Sequence, residues 1–328
     1  MKPGKVSESV LKRSILKKIE SRREEILVGA MPGGDCAVLQ EDSSHVTALS
    51  TQVSVLGSRN QGKLAVYLVA NNLAATGAEP VGVSLSLILP ERGKESQIKN
   101  LMDEAEHTCR NLNMQIIGGH TEISGAVIRP VVTATGVGRT GKDQWISIAD
   151  QELANKDIVV TKWIGLEGTF LLAWEKEQEL LERYPVYFID EAKQYDQYLS
   201  VISEAATAVK SGASAMHNLS GGGIFGALWE MADSAGVGLE IDLKKLPVKQ
   251  ATIEICEYFD LNPYMLRSNG SMIIVTEHGY DLVRELQEKN INAVVVGRTT
   301  EGNDRIVRNG GETRFLEPAK SDEIHKVL

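Results

Sequence analysis

Leu64-Ala-Val-Tyr-Leu-Val-Ala-Asn-Asn-Leu-Ala-Ala75, carried through Thr76-Gly77-Ala78-Glu79-Pro80 into Val81-Gly-Val-Ser-Leu-Ser-Leu-Ile-Leu89, sets the pattern from which the rest of this chain is read. Ten of the first twelve residues are apolar, which predicts a helix buried nearly all round. The run over 81–89 predicts a strand buried by pairing and packing, close to a subunit interface. Asn71 and Asn72 interrupt the apolar helix. A buried amide without a partner costs about 1–3 kcal/mol. These two therefore either tie the helix to neighbouring backbone or face a ligand or metal cavity, and the sequence leaves both open.

Outward from this core, residues 46–49 and 114–117 read as strands and 126–138 as a longer one rich in Val and Thr. Residues 98–112 have helical patterning, with Cys109 on the stripe Ile98, Leu101, Ala105, Leu112. A polar stretch from Gly141 to Asp157 is the candidate boundary between a domain over 26–145 and one over 146–328. In the second half, residues 158–161, 238–241, 271–275 and 293–296 read as strands, and a helix follows Gly168. Tyr195, Leu199, Ile202, Ala206 and Val209 alternate spacings of 4 and 3, predicting one helix ended by Gly212. The element order is not strictly β-α-β-α, so the expected class is α+β: an N-terminal mixed-sheet α/β domain and a C-terminal α/β sandwich, not one doubly wound sheet.

The 328 residues are 42% hydrophobic and 24% charged, enough for two domains with real cores. A net charge of −9 argues against nucleic acid as the main partner. Residues 1–25 run the other way, with eight cations against Glu8, Glu20, Glu24 and Glu25, and are expected to form a basic amphipathic helix docking Leu11, Ile15 and Ile19. No apolar run approaches the ~20 residues that cross a bilayer. Three cysteines with no CxxC pair fit a reducing, cytoplasmic setting.

Four segments carry chemistry. In Met31-Pro-Gly-Gly-Asp-Cys-Ala-Val38, Gly33 and Gly34 let backbone approach a ligand and Asp35 could hold a cation, or the segment is a tight turn before an edge strand. The Asn71-Asn72 pair is the second. In Ile116-Ile-Gly-Gly-His-Thr-Glu-Ile123, a strand runs into Gly118 and Gly119 and then presents His120, Thr121 and Glu122 from its end. In the segment from Ala215 to Gly238, His217 and Asn218 precede Ser220, a candidate N-cap, and Gly221, Gly222 and Gly223 open a helix whose free N–H groups suit a phosphate. A flexible turn packed on another helix is the plainer alternative.

These segments, in this order, resemble the aminoimidazole-ribonucleotide (AIR) synthase superfamily, also called PurM-like. Gly34-Asp35-Cys36-Ala37-Val38 is similar to its "GDDAAV", Asn71 to Pro80 to "NDLAAMGARP", and Gly118-Gly119-His120-Thr121-Glu122 to "GGHTE". Met216 to Gly223 with Ala227 to Asp242 is similar to "MHDPTxGG" and the helix and strand after it. The His120 and Trp229 forms look most like the HypE-like, hydrogenase-maturation branch. The resemblance implies an N-terminal domain that dimerises, ATP bound in a cleft lined by the glycine-acidic segments, and Mg²⁺ held by carboxylates. It also implies ATP-dependent activation of an amide or carbonyl-type oxygen, and leaves room for a maturation-protein partner beside a small-molecule or nucleotide ligand.

The match departs where the metal-holding acids belong. Cys36, Gln52, Asn72 and Asn218 stand where the family has Asp, and Leu219 where it has Pro. Asp35 and Glu122 remain as metal candidates, with Asp35, His120 and Glu122 as candidate catalytic groups. HypE-type dehydration needs a cysteine at the end of the chain; this sequence has none after Cys256, so that tail chemistry is not expected of it. The expectation is an ATP- or phosphate-binding protein with a degenerate metal site, or a homodimeric nucleotide- or anion-binding protein without turnover.

Overall fold

The computed structural model describes residues 3–148, 152–318 and 321–328. The chain parts between Trp145 and Ile146. Residues 24–29 and 35–145 form an N-terminal unit; residues up to Arg23, 30–34 and 146–328 form a C-terminal unit. The polar stretch expected at the boundary lies partly outside the described residues.

The expected helix over 1–25 is much shorter. Helix α1 spans only Glu8–Ser14, a 3-10 turn follows at Leu16–Lys18, and no residue of either is buried. Ile15 and Ile19 stay exposed, and Leu11 of the expected stripe is only half-buried. So short a helix is marginal on its own. Polar contacts fix it instead: Lys12 reaches Asp233 at 3.0 Å, and the Trp229 indole N–H donates to Glu8 at 3.0 Å.

The N-terminal unit has one mixed six-stranded sheet. Its strands are β1 (Ile26–Val28), β2 (Ala37–Gln40), β3 (His45–Ser54), β4 (Glu79–Leu89), β5 (Gln115–Ile123) and β6 (Val131–Gly141), in the order β1-β2-β3-β6-β4-β5. Helices α2 (Gln61–Ala75) and α3 (Glu95–Asn111) join them. Only β4 and β5, linked through α3, run parallel. As expected, α2 is buried nearly all round, and Cys109, Ala105 and Leu101 form the buried stripe of α3. Val83, Leu85, Leu87, Leu89, Val132 and Ala134 are all core residues of this sheet. The alternate positions, among them Thr51, Val53, Ser84, Ser86, Thr133 and Thr135, line its other face and are exposed or half-buried.

The strand expected over 126–138 begins five residues later. Pro130 has no N–H to give the ladder, and Ile128 is 90% exposed in the turn before it. The strand expected over 114–117 continues to Ile123, so the Gly-Gly-His-Thr-Glu motif lies within β5 and not beyond its end.

The C-terminal unit has a seven-stranded sheet, in the order β13-β12-β9-β11-β7-β10-β8. The strands are β7 (Asp157–Thr161), β8 (Ala215–Asn218), β9 (Gly238–Asp242), β10 (Met272–Thr276), β11 (Ala293–Thr300), β12 (Arg305–Asn309) and β13 (Glu312–Phe315). Its helices are α4 (Leu166–Glu175), α5 (Glu177–Leu180), α6 (Val186–Lys193), α7 (Ile202–Lys210), α8 (Gly223–Ala235), α9 (Gln250–Tyr258) and α10 (Gly279–Glu288). Helix α8 packs Ile224, Leu228 and Met231 into a core with Ile158, Val160, Leu239, Ile273 and Val275. Both sheets are mixed and neither is doubly wound, so the α+β reading holds.

Two helices differ from expectation. Gly168 lies inside α4, which starts at Leu166. The stretch 195–209 is not one helix: a 3-10 turn at Tyr195–Tyr198 stops, and α7 starts at Ile202. The reason is Lys162, a buried lysine whose ammonium donates to the carbonyls of Tyr198 (2.8 Å) and Ser200 and pairs with buried Glu204. A continuous helix would consume those carbonyls; the break frees them for the charge.

Candidate functional site

In the N-terminal unit, β3 and α2 bring the first two motifs together. Ser50, buried on β3, donates its hydroxyl to the Asp35 carbonyl at 3.0 Å and accepts from Asn72 Nδ2 at 3.0 Å. Asn72 thus ties the helix through Ser50 to the glycine-acidic segment, and Asn71 beside it is wholly buried. Cys36 packs with Ala48, Leu73 and Ala78. Burial, then the Asp35 charge, pushes its thiol far above the ordinary range, with hydrogen bonds to Thr76 and Ser50 offsetting only part. Two positions where the resemblance expects carboxylates are therefore filled by a hydrogen-bond donor and a protonated thiol.

The third motif sits on β5, an outer strand. Its glycine pair forms a bulge: the register with β4 slips between Ile116 and Gly118, so Ile117 is the extra residue. A side chain at Gly119 would come 1.9 Å from the Leu85 carbonyl oxygen, so only glycine fits. The bulge places His120 and Glu122 on the sheet face away from Leu85 and Leu87, with His120 Nε2 3.2 Å from Glu122 Oε2 and both side chains largely exposed. Thr121 is exposed on the opposite side of the strand. Strands β6 and β4 separate β5 from β3, about 14 Å at ~4.8 Å per strand. Asp35 and Glu122 of one copy therefore do not converge on a single ion. Among the described residues no group of three or more His, Cys, Asp and Glu could hold a metal.

In the C-terminal unit, Gly33 has φ +65° and presses on α8: a Cβ there would meet Ser234 Oγ at 2.5 Å and the Glu230 carbonyl at 2.8 Å. Ser234 Oγ donates to the Pro32 carbonyl at 2.7 Å, which seats this loop, Gly34 included, on the helix. His217, buried on β8, lies 3.5 Å from Glu230 Oε2. Burial raises the Glu230 carboxyl, but the Lys5 ammonium at 3.2 Å and the His217 ring outweigh it and hold the group down to about 2. Asn218 is buried with its Nδ2 3.4 Å from Asn269 Oδ1, and Leu219 fills core space.

The glycine loop before α8 is the most anion-ready feature. Gly222, at φ +92°, is the N-cap, not Ser220. Gly223 leaves no room for a Cβ, which would fall 2.6 Å from the Tyr264 carbonyl. The Gly222 N–H donates to Asp322 Oδ2 at 2.7 Å. Nearby, the Arg267 guanidinium grips Glu167 Oε1 through Nε (3.0 Å) and Nη2 (2.8 Å). Residues 217–223 thus run from β8 to the N-terminal end of α8. Asp322, Arg267, Glu230 and Lys5 were not foreseen. Asp322 lies 100 residues from the loop it caps, and nothing in its own neighbourhood marks it.

Two family models match the chain: AIR synthase related protein, N-terminal domain, over residues 33–140, and AIR synthase related protein, C-terminal domain, over residues 155–308. A Methanocaldococcus jannaschii protein named for hydrogenase expression and formation is 25% identical over 314 residues, covering 93% of this chain and 90% of that one. The carbamoyl dehydratase HypE of Rhodobacter capsulatus is 26% identical over 276 residues, covering 81% and 78%. Among solved structures, a HypE–HypF complex matches with TM-score 0.76 at 17% identity, covering 94% of this chain and 99% of that chain. A hydrogenase maturation protein HypE in complex with ATP matches with TM-score 0.72 at 17% identity, covering 98% and 97%.

Proposed function

We propose, from the premise that this chain belongs to the AIR synthase related family and is HypE-like, that it binds ATP or another phosphate-bearing ligand and does so without the family's metal-centred carboxylates. The observation that carries this is the exchange at Asn72 and Cys36. The glycine-acidic frame is kept, while the expected acids are replaced by groups that serve the fold. Mg²⁺ takes hard, charged oxygens in near-octahedral geometry; an amide donating to Ser50 and a buried thiol do not fit it. What the chain offers an anion is the N-terminus of α8, whose N–H groups and dipole suit a negative charge, while Gly33, Gly119 and Gly223 are taken up by close packing on Glu230, Leu85 and Tyr264.

One observation favours a second reading, a nucleotide- or anion-binding protein without turnover. His120 and Glu122, the remaining candidate acid-base pair, lie exposed on β5, and among the described residues no group of three or more His, Cys, Asp and Glu could hold a metal beside them. In that reading, activation of an amide or carbonyl-type oxygen is lost and binding is retained. The ATP-bound HypE among the structural neighbours supports the nucleotide, and the HypE–HypF complex supports a maturation-protein partner. Pairing of two copies through the N-terminal sheet is supported by exposed Val53, Ile117 and Ile123 and by an outer strand, β5, with a free edge among the described residues. A cytoplasmic setting is supported by three free cysteines. No described helix is long and apolar enough to cross a membrane.

A thermal-shift series with ATP, ADP, AMP and phosphate, each with and without Mg²⁺, tests the reading. Stabilisation by ATP that Mg²⁺ changes little supports it. No shift with any nucleotide removes it.

A further inference from the structure

We infer that the acidic, aromatic face formed by α6, α9 and the turn before α6 docks a basic segment of a partner protein, one that sets Arg or Lys between apolar residues. The face shares no residue with the glycine loops and does not depend on the anion-binding reading above. Its apolar part is Val186 and Tyr187, on the first turn of α6 and 60% and 76% exposed, with Ile253, 39% exposed, on the helix packed against it. A single exposed apolar residue is ordinary. Here they adjoin a run of rings. Tyr184 stacks on Phe188 with centroids 4.8 Å apart and meets Tyr258 at 6.1 Å, and Tyr258 meets Phe259 at 4.8 Å. All four rings are half-buried. An exposed apolar patch of this kind inside a polar rim marks a protein contact.

The rings are also held in place. The Tyr184 hydroxyl donates to the Glu254 carbonyl and the Tyr258 hydroxyl to the Glu179 carbonyl, each at 2.9 Å. Aromatic side chains already fixed by the fold give up little freedom when a partner covers them, and such anchors carry most of the energy of a protein interface.

Charge decides what fits over them. Residues 177–193 and 250–258 hold seven carboxylates against two cations. One of the two, Lys193, is turned inward onto Glu177 and the Trp174 ring and is lost to the surface. The other, Arg183, lies over the Tyr184 ring, its guanidinium carbon 5.5 Å from the centroid and the group 3.8 Å from Glu257. Glu182, Asp190, Glu191 and Glu257 are all exposed. Asp190 and Glu191 follow Tyr187 by three and four residues, which puts them on its side of the helix. Carboxylates around open rings turn away an acidic partner and select a cationic one. Arg183 shows the seat such a cation takes, face-on to a ring with a carboxylate beside it. A neutral apolar partner would cover the same rings and leave the rim without counter-charge.

The experiment follows the fluorescence anisotropy of a labelled peptide of alternating Arg and Leu, and of its counterpart with Glu for Arg, on titration with the native full chain. Three double variants are compared with it: Val186→Ser with Tyr187→Ser, Glu182→Gln with Glu257→Gln, and, as a charge-matched control on α3, Asp103→Asn with Glu106→Gln. All six positions are exposed, and thermal melts check that each variant stays folded. The Arg-Leu peptide is expected to bind the native chain and the control alike and to lose at least about fivefold in affinity for each of the other two variants. The Glu peptide should bind none of them. An Arg-Leu peptide that does not bind the native chain overturns the inference, as does a loss in the control equal to that in the patch variants, which would mean attraction to net charge alone. A native dimer in sedimentation that Val186→Ser with Tyr187→Ser splits, with the peptide left unbound, gives the face to a second copy and overturns it as well.

Discussion

Asn72→Asp puts back the carboxylate that the family carries, and the structure makes its cost calculable. In the native chain the Ser50 hydroxyl has one proton, given to the Asp35 carbonyl, and a lone pair filled by Asn72 Nδ2. A carboxylate has no proton to give. Ser50 then either turns to the new acid and leaves the Asp35 carbonyl without its hydroxyl, or keeps that bond and faces the acid oxygen to oxygen. One buried hydrogen bond is lost either way, worth about 1–1.5 kcal/mol, and a charge is placed at a position 4% exposed, which adds at least ~1–2 kcal/mol. The sum is about 2–4 kcal/mol, or a fall in Tm of roughly 3–6 °C for a protein of this size. The pH dependence follows. Burial raises the new acid's folded pKa above its unfolded value, so protonation on acidification favours the fold. The penalty should therefore shrink between pH 7 and pH 5. Thermal melts of both forms in EDTA at the two pH values are the assay. A variant as stable as the native chain at pH 7 would refute the assignment of Asn72 as a structural donor. Recovery of the loss by Mg²⁺ would show that position 72 faces a metal site after all.

The cysteines give a second expectation. Burial raises Cys109 to about 11 and Cys256 to about 12, and Cys36 further still, so Ellman's reagent at pH 8 should label none in the folded chain and all three in urea. Glu204→Ala leaves the Lys162 ammonium buried without its carboxylate and should cost about 3–5 kcal/mol in urea melts; a cost under 1 kcal/mol would mean that the Tyr198 and Ser200 carbonyls suffice. His325 has its pKa lowered, by burial first and by Arg267, against the opposing pull of Asp322. The unfolded chain therefore takes up more protons below about pH 6.5, and stability should fall on acidification through that point. His325→Gln should flatten that part of the pH profile.

Patterns that depend on neighbours in sequence were legible, and those that depend on distant partners were not. The apolar run of 64–75 announces a helix buried nearly all round, and the run over 81–89 announces a strand, of which Val83, Leu85, Leu87 and Leu89 are buried while the alternate positions are half-buried or exposed. Three of the four motifs could be placed as segments because each carries its own glycines, and the second because Asn71 and Asn72 interrupt an apolar run. The break at Ser200 was invisible because its cause is Lys162, brought from β7's end by tertiary structure. The short α1 was invisible for a similar reason, since an indole hydrogen bond from Trp229 and an ion pair to Asp233 replace the expected apolar docking. At the site, the loss of acids could be read directly, but not what the replacements do. That Asn72 donates to Ser50, and that Asp322 accepts from the Gly222 N–H, are facts of three-dimensional pairing.

The central claim is that a HypE-like frame binds nucleotide here with its metal dependence largely gone. Calorimetric titration of the native chain with ATP, in EDTA and again in excess Mg²⁺, tests it most directly. Weak binding is expected, with Kd on the order of 10⁻⁴ M or above, about −5.5 kcal/mol or weaker, changing less than threefold between the two conditions. Tight binding that appears only with Mg²⁺ would contradict it, because the charged oxygens for that metal would then have to come from residues other than Cys36, Gln52, Asn72 and Asn218.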